Sequence, residues 1–155
     1  MKVTYNYSTN LSSPIREKVL HLESIIEKIP QINIPINHYF ADGVYAREMT
    51  IPANVVLTGA VHKTCHLSIL SKGKIQVVSN EEVIELSAPA TILAKAGSKR
   101  AIHAIEESVW TNIHATNETD IDKIVEELTE STAAELMGGE NNRQAKMSGI
   151  LKLEE

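Results

Sequence analysis

Val61-His62-Lys63-Thr64-Cys65-His66-Leu67-Ser68-Ile69-Leu70-Ser71-Lys72-Gly73-Lys74-Ile75-Gln76-Val77-Val78 is the stretch that decides the architecture of this chain. Along Val61–Leu70, and again along Lys74–Val78, side chains alternate between two faces, the period of two that marks a β-strand. Ser71-Lys72-Gly73 between them supplies turn residues, the glycine where a positive φ is needed.

The same grammar extends outward over residues 36–116. Further strands are predicted at Asn37–Phe40, Val44–Ile51, Asn54–Leu57, Glu82–Leu86, Ala90–Ala94, Lys99–Ile105 and Ser108–Ala115, broken at Asp42-Gly43, Pro52, Gly59, Ser79-Asn80, Pro89 and Gly97. Short strands at even spacing with no helices between them predict an all-β fold, an antiparallel sandwich, jelly roll or barrel, and exclude a parallel α/β sheet.

Helices are expected on both flanks. Residues 13–29 place Ile15, Val19, Leu22, Ile26 and Ile29 in one helical stripe, with Ser13 as a cap, Pro14 at the first helical position and Pro30 as the stop. Such a stripe either packs across its own domain or pairs with a second copy, and a homodimer or higher homo-oligomer is expected. Residues 119–130 set Ile121, Ile124, Val125 and Leu128 at helical spacing, capped by Thr119 or Asp120. Residues 137–155, with Gly138-Gly139 and Asn141-Asn142, read as a mobile or partner-docked tail in which Ile150, Leu151 and Leu153 are the docking candidates.

Composition narrows the function. At 155 residues, 43% apolar and 23% charged, the chain has the make-up of a single globular domain. No run approaches the ~18 apolar residues of a membrane span, and Met1 to Asn10 lacks the apolar core of a secretory signal. One cysteine, Cys65, fits a reduced, cytoplasmic setting and reads as a small core residue. A net charge of −5 argues against a nucleic-acid polymer as partner. A small molecule is the better expectation.

Histidines carry the chemistry. Alternation puts His62, Thr64, His66 and Ser68 on one face of their strand, groups Trp110, Asn112 and His114 on another, and aligns His103 with Ala101 and Ile105. Imidazoles converging from neighbouring strands can hold a divalent metal ion, each through a neutral ring nitrogen, while a polar stripe can equally be a solvated face. Tyr45 and Glu48 point to opposite faces, so only one can line an interior. His21 and His38 receive no role.

These residues resemble the cupin superfamily, small β-barrels with two short metal-binding motifs. Anchoring the first motif on Gly73 places His66 at its Glu position, His62 at its second His and Ala60 at its first. The second motif keeps Gly97 but has Lys95 in place of Pro, Arg100 in place of His and Ala104 in place of Asn. The run from His38 to Thr116, opening on Tyr39-Phe40-Ala41-Asp42-Gly43-Val44-Tyr45 and closing on Trp110-Thr111-Asn112-Ile113-His114, is most similar to small cupin-like bacteriophage proteins. The resemblance implies a cupin-like antiparallel β-barrel with a helix before it and a helix after it.

Arg100 turns the reading toward an anion. A guanidinium stays protonated and cannot ligate a metal, but it can grip a carboxylate or phosphate through paired hydrogen bonds. Lys95 and Lys99 are weaker candidates, and Lys99 alternates away from Arg100. The expected function is therefore a binding protein for a small anionic molecule, which in a phage setting would be a host nucleotide signal held in sequestration, contacted by Arg100 and Arg47 and lined by Tyr45 and Asn112. The alternative is an isomerase or oxygenase acting on a small carboxylated substrate, with one divalent metal on His62 and His66 together with His103 or His114.

Overall fold

The computed structural model describes residues 14–79 and 82–130, and the backbone of residues 150–152. Two helices, α1 (Pro14–Ile26) and α2 (Ile121–Leu128), flank the strands β1 (Ile36–Ala41), β2 (Val44–Ile51), β3 (Val55–Thr58), β4 (His66–Lys72), β5 (Lys74–Val78), β6 (Val83–Ser87), β7 (Ala90–Ala94), β8 (Ala101–Ala104) and β9 (Ser108–Ala115), with β10 (Ile150–Lys152) following. The strands form two antiparallel five-stranded sheets, ordered β1-β2-β9-β4-β7 and β10-β3-β8-β5-β6. Sequential strands such as β4 and β5 fall in different sheets, which makes this an all-β jelly roll.

Local chemistry explains the turns. Asp42-Gly43, with Gly43 at φ +75°, closes β1 onto β2 as a two-residue hairpin in which Ala41 pairs with Val44. Gly73 has φ +87° where β4 hands over to β5, and a Cβ there would overlap the Glu107 carbonyl and Ser108. Only glycine fits that crossing.

The sheets face each other across a core of Ile51, Val55, Leu57, Leu70, Ile75, Val77, Ile102 and Trp110, joined by Met49, Ile34 and Ala104. Residues of the first sheet stack in register layers: Tyr45 pairs with His114; Arg47 with Asn112, which pairs with Ser68; and Met49 with Trp110, which pairs with Leu70.

The structure corrects or decides several expectations. The strand expected at Val61–Leu70 begins only at His66, because the backbone before it is taken by the end of α2: Glu130 N donates to the Val61 carbonyl, Lys63 N to the Leu128 carbonyl, and His62 forms an isolated bridge with Thr129. The apolar stripe of the first helix packs within the chain, with Val19 and Ile26 buried and Glu23 reaching Lys99 and Thr58. Lys99 is thus neither a surface cation nor an anion contact, but a 4% exposed partner of Glu23 at 2.5 Å. That helix ends at Ile26, short of Pro30, with the Gln31 amide donating to the Ile26 and Ile29 carbonyls. Finally, within the expected tail, residues 150–152 pair antiparallel with β3. Ser13 and the rest of residues 137–155 lie outside the described residues.

Candidate functional site

The first sheet changes chemistry along its length. Reading the inward faces toward one end of the barrel, β2 goes from Met49 to Arg47 and Tyr45, β9 from Trp110 to Asn112 and His114, and β4 from Leu70 to Ser68 and His66. Two loops deliver the rest: residues 59–65 bring His62, and residues 95–100 bring Arg100.

His62, His66 and His114 meet there. Their ring centroids lie 4.3, 4.4 and 4.9 Å apart, and one ligand-capable nitrogen of each falls within 4.8 Å of the others, so the three could form a metal site. His62 Nδ1 is 3.3 Å from His66 Nδ1, and Arg100 Nη2 donates to His66 Nε2 at 3.0 Å. Burial, reinforced by neighbouring rings and guanidinium groups, holds His62 down to about 3, His66 to about 2 and His114 to about 4. All three rings are neutral at physiological pH, and such weakly basic groups are poor proton acceptors there.

Two arginines supply the positive charge of this region. Burial lowers Arg100 to about 10 and lowers Arg47 as well, with the neighbouring Tyr45 hydroxyl acting against the effect at Arg47. Arg100 remains a cation at pH 7. Arg100 Nη1 is buried without a hydrogen-bond partner, as is His114 Nδ1. Ser68 Oγ donates to Asn112 Oδ1 at 2.8 Å, which orients the Asn112 amide.

These groups border a cavity of about 110 Å³ whose wall includes Tyr45, Arg47, Ala60, His62, Arg100, Asn112 and His114. No aspartate or glutamate lines it among the described residues. Its roof is α2, through Ile121, Ile124, Val125 and Leu128, with Ile124 and Leu128 packed on Tyr45. Asp120 caps α2 by accepting from Asp122 N and Lys123 N, and Thr116 Oγ1 donates to Glu127 Oε1 to tie the helix to the end of β9.

Of the residues singled out from sequence, Arg47, Tyr45, Asn112, Arg100, His62 and His114 line this cavity, and His66 stands behind it against His62 and Arg100. His103 does not join them. Its strand neighbour Ile102 faces the interior, so alternation turns His103 to the other side of the sheet. Glu48 points away and accepts from Asn37 at 3.1 Å. Sequence reasoning missed the roof, although the amphipathic spacing of residues 121–128 immediately after the barrel was its signal. It also missed His38, whose Nδ1 lies 2.7 Å from the Tyr45 hydroxyl, a group that burial pushes up to about 12.

No family model and no curated protein matches the chain. Among solved structures it is similar to procruciferin, an 11S globulin from Brassica napus, at TM-score 0.50 and 12% identity over 58% of this chain and 31% of that one. KdgF from Halomonas sp. gives 0.49 and 12% over 59% and 92%, and a cupin superfamily protein from Desulfitobacterium hafniense gives 0.48 and 14% over 62% and 88%. The fold is an all-β cupin-type jelly roll with flanking helices.

Cupin barrels raise the question of a metal, and the donor set answers it. A guanidinium only donates, so the His66 Nε2 lone pair is taken by Arg100. Two guanidinium groups and no carboxylate line the adjoining cavity, which repels a divalent cation. With Arg100 in this position the three rings do not fit a metal ion.

Proposed function

We propose that this barrel is a receptor for a small anion, a carboxylate or comparable oxyanion of a few heavy atoms. The observation that carries the reading is Arg100, whose Nη1 is buried without a hydrogen-bond partner on the wall of a cavity that Arg47 also lines. A buried cationic donor without a partner is costly, and an anion seated against it removes that cost while gaining charge-assisted hydrogen bonds. Arg100 Nη1, Asn112 and the His114 ring supply directional partners, and the apolar residues of α2 exclude water.

The volume sets the ligand class. About 110 Å³ corresponds to about four waters at roughly 30 Å³ each, whereas larger organic ligands occupy pockets of ~300 Å³ and more. A cavity of this size favours a small anion over a nucleotide. Neutral, weakly basic histidines favour holding a ligand over transforming it.

Calorimetric titration with oxalate, pyruvate, acetate, phosphate and sulfate tests the reading. Arg100→Met should weaken the binding found by roughly ten- to a hundredfold, the equivalent of about 1.5–3 kcal/mol. Ligand released by heating the complex should be chemically unchanged. Absence of binding across the panel, or binding indifferent to Arg100→Met, overturns the proposal, and an altered product would establish an enzyme instead.

A further inference from the structure

We infer that Arg100 keeps the His62–His66–His114 cluster closed to divalent metal ions, and that withdrawing its guanidinium turns the same three rings into a metal site. The inference concerns cations and stands apart from the anion reading, so either can fail alone.

Proton positions follow from the contacts. Because Arg100 Nη2 donates to His66 Nε2, that nitrogen carries no hydrogen, and the single proton of the neutral ring resides on Nδ1. The Thr64 carbonyl, a pure acceptor, is a hydrogen-bond partner of the same ring. His62 Nδ1, 3.3 Å from this N–H, faces it with a lone pair, since two N–H groups could not approach each other so closely. The His62 proton is therefore on Nε2. A metal needs free lone pairs on neutral imidazoles. His66 has none, and that of His62 is engaged. Only His114 is left, its Nδ1 without a partner.

The arrangement is otherwise close to ligation. Nitrogens of a tetrahedral zinc site, each ~2.05 Å from the ion, lie about 3.4 Å apart. Here one nitrogen from each ring lies within 4.8 Å of the others, so ring rotations would suffice once Nε2 of His66 is released. Loss of Arg100 also removes a positive charge from beside the incoming ion. Its guanidinium thus satisfies the ring nitrogen that a cation would otherwise claim.

Full-length protein without a histidine tag is titrated with Zn²⁺ and with Co²⁺, comparing wild type with Arg100→Met and Arg100→Ala. The variants should bind one equivalent at least a hundredfold more tightly than wild type, with the visible absorption of tetrahedral cobalt. Adding His114→Ala should abolish that gain. Equal metal affinity in wild type and the folded variants overturns the inference. Nitrogen-15 correlation spectra of the wild-type imidazoles test it without any substitution: the His66 proton is expected on Nδ1 and the His62 proton on Nε2, and a proton on His66 Nε2 overturns it.

Discussion

The two ends of the barrel are built on the same strands and behave as different materials. At one end β2, β9 and β4 contribute Ile51, Met49, Trp110 and Leu70, which pack with Ile75, Val77 and Val55, Met49 and Trp110 also forming the apolar floor of the cavity. At the other, two to four residues along the same inward faces, they contribute Arg47, Tyr45, Asn112, His114, Ser68 and His66. The apolar end gains stability from removing hydrocarbon from water. The polar end holds neutral histidines and the unpartnered Arg100 Nη1 away from water, at a cost that the rest of the fold sustains. The molecule is least well satisfied there, as functional sites often are.

Acid should separate the ends most sharply. A ring whose pKa is depressed in the folded state contributes stability that is complete above its ordinary value of 6.5 and is lost as pH falls toward its folded value, here about 4 for His114, 3 for His62 and 2 for His66. Between pH 6.5 and 5 each ring should withdraw about 2 kcal/mol of unfolding free energy. Urea denaturation at the two pH values measures the loss, and His66→Leu should reduce it by one ring's share. A pH-independent midpoint would erase the distinction between the ends.

Truncation should show the opposite asymmetry. Trp110→Ala, at a site 1% exposed, should cost about 3–5 kcal/mol by removing packing from the apolar core and enlarging the cavity it floors. His114→Ala should cost only about 1–2 kcal/mol, because the ring it removes leaves Nδ1 unpartnered in the native state. Equal losses in denaturant titrations would mean that the two ends are packed alike.

Arg100→Met should change sign: in the absence of any anion the variant should be more stable than wild type by about 1–2 kcal/mol, since a buried cation without a carboxylate partner is replaced by hydrocarbon. A destabilised variant would show that the guanidinium is compensated. The smallest effect belongs to the roof. Asp120→Ala deletes the acceptor for Asp122 N and Lys123 N and should cost about 1 kcal/mol. Amide exchange should then rise in α2 while β5 and β8 remain protected, and uniform acceleration would join roof and apolar end into one cooperative unit.

Much of this contrast was legible in the residues. The alternation of β2 and β9 put Tyr45, Arg47 and Met49 on one face and Trp110, Asn112 and His114 on one face, and both groupings are those the barrel encloses. For His62 alternation gave the right side for the wrong reason, because the residue stands on a loop held by α2 and not on the strand of His66. For His103 the neighbouring Ile102 was the better guide, since the apolar member of such a pair faces the core.

What the amino-acid order determined by itself is therefore the local grammar: a period of two, broken at Asp42-Gly43 and Gly73, makes strands and turns, and a period of 3.6 at residues 121–128 makes a helix. Those preferences arise from backbone sterics and side-chain spacing, which act over a few residues. Only the tertiary structure decided that a loop histidine, two strand histidines and an arginine share one nest, that Lys99 turns outward to Glu23, and that the last helix roofs the cavity. The physical reason is that alternation assigns a side chain to a face but not to a height along the barrel, and height is set by register between strands distant in sequence.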